Sequence, residues 1–338
     1  MKKEIRKFFK DLSEEQNGFK FGKVFRFTEN SLVAILPLLR KKKKARDYVT
    51  LAEANKIKIE DTGQIGYVLI TNNENKSLFI RCGEIFKGKT QERAATRSSI
   101  ILPNESKKVS VVCIHQSKGI NAGSEMEYGG KVPTELYHNI SSGNQSNVWS
   151  SICTYTSGNS STKEAASNTE DLFNNTIRHS NMEDWDGYSV HHLDMNFSAS
   201  APNNNNDDLV SGIKTLSKEI EDILIKTPFV KNQIGLSLFD LKGVYMVECF
   251  DIDESWKSIK DEAIRKEGNK IVEEDDNVFD YKPEKAKSCL KALLNKDYTE
   301  KSLYEDKNFS IIKIENKTHA GEVSILNGKV IHLNIIRI

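Results

Sequence analysis

The chain lacks net charge: its 338 residues carry 49 Lys and Arg against 48 Asp and Glu, a formal +1. Such a balance gives no bulk attraction to nucleic acid or to an anionic membrane, so any basic function has to be local. Long apolar runs are missing too. The N-terminal MKKEIRKFFKDLSEEQ is charged throughout, without the apolar stretch of a signal peptide, and SLVAILPLL is far too short to span a bilayer. The expectation is a cytoplasmic protein with no membrane contact. The five cysteines (Cys82, Cys113, Cys153, Cys249 and Cys289) are odd in number and none stands in a CxxC pair, which argues against a disulfide framework or a zinc knuckle. No GxSxG or HExxH occurs, which removes several common hydrolase mechanisms, and no sequence signature names a cofactor or a metal set. His191, His192 and Asp194, with His179 and Glu183 nearby, are metal-capable, yet they stand in a polar stretch that reads as a loop. The acidic run beginning at Glu273 lacks the regular oxygen spacing and turn glycine of a calcium loop.

What is present has two textures. From about residue 21 to 115, short apolar blocks (KVFRF, SLVAILPLL, QIGYVLI, KSLFIRC, RSSIILP, KVSVVCIH) alternate with turn-rich pieces such as TNNENK and LPNESKK. This spacing predicts an antiparallel β-sandwich or barrel-like lobe. Beyond it, SSGNQSNVWSSICTYT and STKEAASNTEDLFNNTIR read as helices, 179–207 as a polar loop, and LVSGIKTLSKEIEDILIK as a helix with an apolar stripe. Two strands turning at Leu241-Lys242-Gly243, helices in ESWKSIKDEAIRK and KPEKAKSCLKALLNK, and the closing strands FSIIKIEN, GEVSILN and KVIHLNIIRI complete the chain. The predicted class is α+β: a basic helical segment (1–20), a β-rich lobe (21–140), a helical segment (141–178), a polar loop (179–207) and a mixed helix-and-strand lobe (208–338).

GEIFKGKT, residues 83–90, fits the phosphate-loop pattern G-x-x-x-x-G-K-[ST]. Its context does not: Glu84, Ile85 and Phe86 suit a strand better than an anion nest, and TQERAATR leaves room only for a short helix. Asp240, at the end of LSLFD, imitates a magnesium-binding carboxylate, but strand and helix do not alternate as that fold requires. Strand geometry offers another reading, since residues two apart share a face. Lys89, Gln91 and Arg93 then form a stripe of donors able to hold an anion, with Gly83 and Gly88 allowing a reversal beside Glu84. The bland alternative is a solvated strand edge.

YVTLAEA, the GYVLI strand, CGEIFKGKTQER, SIILP, VSVVCIH and QSNVWSSI resemble the family called the ARG and rhodanese-phosphatase-superfamily-associated protein domain, over roughly residues 20 to 265. The C-terminal strands lie outside that resemblance. The family's polar element falls on Gly83, Glu84, Gly88, Gln91 and Arg93, and its Val-Trp helix on Gln145, Val148 and Trp149. Two residues after Cys113 the family commonly carries an acidic residue where this chain has His115, which puts an activity depending on that acid in doubt. The association in the family's name implies a role around NAD-derived or ADP-ribose-containing compounds.

Two main hypotheses follow, beside the minor alternative of a phosphate-loop nucleotide hydrolase acting through GEIFKGKT. In the first, Lys89 and Arg93 meet the anion of a nucleotide-like small molecule, Gln91 orients it, Gly83 and Gly88 admit it, and Glu84 acts as general base or ribose ligand. His115 is a further catalytic candidate, with Cys113, Gln145 and Trp149 as walls, and hydrolysis or transfer at an ADP-ribose-type linkage as the reaction class. In the second, the same polar cluster is an internal network and the protein is a non-catalytic interaction or assembly module, with a protein partner or a second copy of the chain as its target. Cys113 and His115 share a strand face and could pair as thiolate and imidazole; the plainer roles are a core thiol and a polar strand end. Trp149 is read as a core anchor, with base stacking as its rival.

Overall fold

In this computed structural model the described residues are 1–26, 31–41, 46–89, 91–115, 119, 121–158, 230–272 and 282–338. The expected helix over 209–226, the second helix of the 141–178 segment, the loop 179–207 with its histidines and the acidic run from Glu273 lie outside them. In chain order the first half holds α1 (Lys3–Ser13), β1 (Phe19–Phe21), β2 (Ala34–Arg40), β3 (Tyr48–Thr50), β4 (Ile57–Asp61), β5 (Tyr67–Asn72), β6 (Ser77–Ile80), β7 (Glu84–Gly88), β8 (Glu92–Ala95), β9 (Ser99–Ile101), β10 (Glu105–Cys113), β11 (Glu125–Lys131), α2 (Thr134–Ser142) and α3 (Gln145–Gly158). The second half holds β12 (Gln233–Asp240), β13 (Gly243–Phe250), α4 (Asp253–Arg265), α5 (Gly268–Val272), α6 (Pro283–Leu294), β14 (Thr299–Glu305), β15 (Phe309–Glu315), β16 (His319–Leu326) and β17 (Lys329–Arg337).

Six strands close a barrel in the order β10-β5-β4-β11-β7-β8, all antiparallel. Alternation along β10 builds it: Val109 and Val111 enter the barrel core with Ile59, Val68, Ile70 and Phe86, while Val112, on the other face, packs with Ile114 against α2 and α3. A three-stranded sheet, β3-β6-β9, stands beside the barrel, with β3 parallel to β6. The architecture is α+β, as expected.

The largest element is an antiparallel eight-stranded sheet, β1-β2-β12-β13-β17-β16-β15-β14. One face (Leu36, Val247, Cys249, Ile312, Val323, Leu333) lies against Phe8, Phe9 and Leu12 of α1 and Leu290, Leu293 and Leu294 of α6. The other (Leu236, Leu238, Met246, Phe250, Phe309) meets Tyr48 and Phe79 beside the barrel and the fully buried Trp256 of α4. Both faces are covered, so QIGLSLF and VIHLNII read as almost continuous apolar runs rather than alternating ones. The same property hides the place of β2. The sequence reading sets SLVAILPLL in the lobe 21–140, whereas Leu36 to Leu39 hydrogen-bond with Gln233 to Ser237 of β12. Helix α2 was not anticipated at all.

Candidate functional site

The phosphate-loop reading of GEIFKGKT does not survive the fold. Glu84 to Gly88 is strand, laddered to β8 through Ile85–Ala94 and to β11 through Phe86–Tyr128. Amides committed to two neighbours cannot wrap a phosphate, and among the described residues no helix follows the motif before Thr134. Gly83 has its own duty: at φ +82° its missing Cβ leaves room for Val132, 2.9 Å from where that atom would stand. Lys89 is exposed in the turn closed by Gly88 N–H donating to the Gln91 carbonyl (3.0 Å). Asp240 is held by Arg337 (2.7 and 2.8 Å).

Gln91 and Arg93 do share a face, and it points into the barrel. Arg93 has no exposed surface; its Nη1 donates to the carbonyls of Gln64 (2.7 Å) and Tyr67 (2.6 Å), and its Nη2 to Asp61 Oδ1 (2.9 Å). Asp61 also accepts from Gly63 N–H (2.8 Å), so guanidinium and carboxylate together hold the turn between β4 and β5. Gln91 donates to Cys113 Sγ (3.3 Å), and Gln145 of α3 clasps the backbone of Cys113 on both sides, N–H to Oε1 at 2.9 Å and Nε2 to O at 2.6 Å. His115 is buried just beyond. Burial pushes the Cys113 thiol up, opposite to what a nucleophilic thiolate needs. Trp149 is half-buried in α3 beside Val148 and Ile152, which belong to the core under α2 and α3.

Glu84 belongs elsewhere. Phe86 faces Arg93 and Ile85 faces Ala94, so Glu84 stands at the far end of the strand pair from the turn carrying Lys89. There it accepts from Arg81 Nε (2.7 Å) and from the Arg81 N–H (3.0 Å). Arg81 reaches on to Glu248 (3.1 Å) of β13, to Glu262 (3.0 Å) of α4 and to the Tyr128 hydroxyl (3.2 Å), which itself donates to Glu262. Glu248 is met by Lys131 (2.6 Å), Lys266 (3.0 Å) and His332 Nε2 (3.3 Å). Glu267, near Lys266 (3.6 Å), accepts from the Thr134 hydroxyl (2.5 Å) and so ties α2 to the stretch after α4. Burial works against every charge here. It lowers Lys131 to about 8 and His332 to about 4, and raises Glu84 and Glu267 to about 7; Glu248 alone is held well below the carboxylate range, by Lys131 and Lys266.

Of this second cluster the sequence reading names only Glu84, yet several other members left a trace. Arg81 interrupts SLFI-R-C, Glu248 sits inside VYMV-E-CF, and His332 and Asn334 alternate through VIHLNII. A polar residue inside an otherwise apolar strand has to find a partner, and that is the signal to look for.

With barrel, sheet and seam in view, one comparison decides the kinship: the family model for the ARG and Rhodanese-Phosphatase-superfamily-associated Protein domain, ARPP-1, matches residues 22–336. The chain belongs to this family. The ARPP-1 match corrects the narrower resemblance over 20 to 265, because it takes in β14 to β17; the sheet they complete also contains β2, so the fold cannot be parted there. No match was found among curated proteins or among solved structures. Among the described residues no helix is long and apolar enough to cross a membrane, and no group of three His, Cys, Asp or Glu side chains is placed to share a metal ion.

Proposed function

We propose that this ARPP-1 protein is an interaction module, in which the Gln-x-Arg element braces a surface offered to a protein partner. Arg93 carries the reading: from inside the barrel its guanidinium fixes the carbonyls of Gln64 and Tyr67, the two ends of a turn that displays Ile65 (57% exposed) within it and Tyr67 (43% exposed) where it enters β5. The Thr62 hydroxyl donates to the same Tyr67 carbonyl (2.7 Å), so the apolar pair is held in place before any partner arrives. A braced surface loses little conformational entropy on binding.

Arg93→Ala is the test. It leaves Asp61 buried without its guanidinium and takes one donor from each of the Gln64 and Tyr67 carbonyls, so we expect a melting temperature lower by roughly 5 °C, faster proteolysis between Asp61 and Tyr67, and no shift of wild-type melting by NAD, ADP-ribose or AMP. Turnover of an ADP-ribose derivative by the wild type would overturn the reading. A nucleotide-derivative site is the competing proposal, favoured by the convergence of Gln91, Cys113, Gln145 and the buried His115 near one end of the barrel. A saturable thermal shift by ADP-ribose that is lost in Gln91→Ala would favour it.

A further inference from the structure

The barrel-facing side of the eight-stranded sheet carries one polar row across four adjacent strands. Glu248 of β13 pairs with Asn334 of β17, Asn334 with Glu322 of β16, and Glu322 with Lys313 of β15. Residues directly opposite one another share a face and stand about 5 Å apart. The inner end of the row is neutralised, since Glu248 has Arg81, Lys131 and Lys266 around it.

Glu322 differs. Only 4% exposed, it accepts from the Ser98 N–H at 3.2 and 3.5 Å, and among the described residues the charges of Lys131 and Arg97 reach it only from a distance, without an ion pair. Lys313, its cross-strand neighbour, is engaged by Glu315 at 2.7 Å. Burial consequently raises the Glu322 carboxyl to about 7. A buried carboxylate without a counter-ion is costly unless something meets it.

Glu322 forms one wall of a recess of about 90 Å³ between the sheet and the last turn of α2. The lining also includes Ser141 and Ser142, whose hydroxyl hydrogens serve the carbonyls of His138 (2.9 Å) and Asn139 (2.7 Å); the Ser142 oxygen accepts from the Asn144 N–H (3.2 Å), which makes Ser141 Oγ the hydroxyl acceptor for a ligand. This turn is also the C-terminal end of a helix, where the backbone dipole favours positive charge. Tyr137, Leu303 and Ile336 supply apolar surface beside these acceptors. Exposed His138 and the paired Lys313 stand at the rim. Acceptors on two sides, a helix C-terminus and an apolar floor describe a receptor for a donor-rich cation with a short alkyl body.

We propose that this recess binds a small primary amine, its ammonium group on Glu322 and Ser141 and its alkyl part against Tyr137, Leu303 and Ile336. The site is separate from the turn braced by Arg93 and stands or falls independently of it. The test uses the full chain, with ethanolamine and methylammonium as probes, sodium chloride as the ionic control and tetramethylammonium as a cation without N–H donors. In the wild type the backbone amide signals of Gly321 and Ser141 should move saturably at millimolar ethanolamine, less with methylammonium, and not with sodium or tetramethylammonium. Glu322→Gln should weaken ethanolamine binding by about tenfold or more, the scale of losing one charge-assisted hydrogen bond. Should that variant not fold, Ala320→Leu, which fills the recess and leaves the carboxylate intact, should abolish the same shifts. Equal response to tetramethylammonium, non-saturable shifts, or undiminished binding in whichever variant folds would overturn the proposal.

Discussion

Glu248 shows how much one side chain can organise. It has no exposed surface and sits in the middle of a sheet strand, yet Lys131 arrives from the barrel, Lys266 from the stretch after α4 and His332 from β17 to satisfy it. Replacing it together with its partners by hydrophobic residues of similar volume is often neutral, but removing the carboxylate alone strands the buried cations Arg81, Lys131 and Lys266. Glu248→Gln should therefore cost about 3 to 5 kcal/mol in urea unfolding at neutral pH. Its pKa is depressed in the folded state, so the stability it lends is complete above the unfolded value near 4.5 and lost as the pH falls through the folded one; the gap between wild type and variant should close in strong acid. At this scale the sequence named Glu84, Gln91 and Arg93 as polar residues that matter, and it could not show what they touch. Asp61 lies 32 residues from Arg93, and two of the three carboxylates on Arg81, those of Glu248 and Glu262, lie 167 and 181 residues away from it. Spacing tells which residues share a face; it does not tell what stands opposite.

Among the elements, those with a regular apolar pattern of their own were legible, including α1, α4, α6, β10 and the closing strands. Helix α2 was not, because its buried residues Leu136, Tyr137 and Ile140 make barely more than one turn of pattern, and the Glu267 carboxylate holding Thr134 at its start comes from another part of the chain. The β12–β13 pair shows a constraint that no apolar pattern reveals. Gly235 lies opposite Cys249 where the register of β12 against β2 shifts, and a Cβ there would stand 2.3 Å from both Cys249 Cβ and the Glu248 carbonyl. Both obstacles are fixed by the sheet, so Gly235→Ala should destabilise the protein by about 2 kcal/mol or more, measurable by chemical denaturation, whereas Gly119→Ala, at a position with open space around it, should change little.

For the whole molecule, the α+β class was legible and the division into consecutive lobes was not. Apolar strands buried on both faces do not declare which sheet they join, so a boundary drawn from changes in texture passed between β2 and its true neighbour. Because β1 and β2 complete a sheet whose other six strands follow residue 230, a fragment ending at residue 140 leaves SLVAILPLL without its partner strand and without the other half of that core. Such a fragment should show no cooperative thermal transition, while the full chain should melt with barrel and sheet together when followed by near-ultraviolet dichroism and by tryptophan fluorescence.

The seating of β2 also sets a clock during synthesis. The strand ends at Arg40 and its neighbour β12 begins at Gln233, so at 5 to 20 residues per second a ribosome takes roughly 10 to 40 s to deliver the second after the first. Through that interval a nearly uncharged apolar segment with open edges waits outside the exit tunnel, a natural client for a chaperone that shields nascent chains until their last strands arrive.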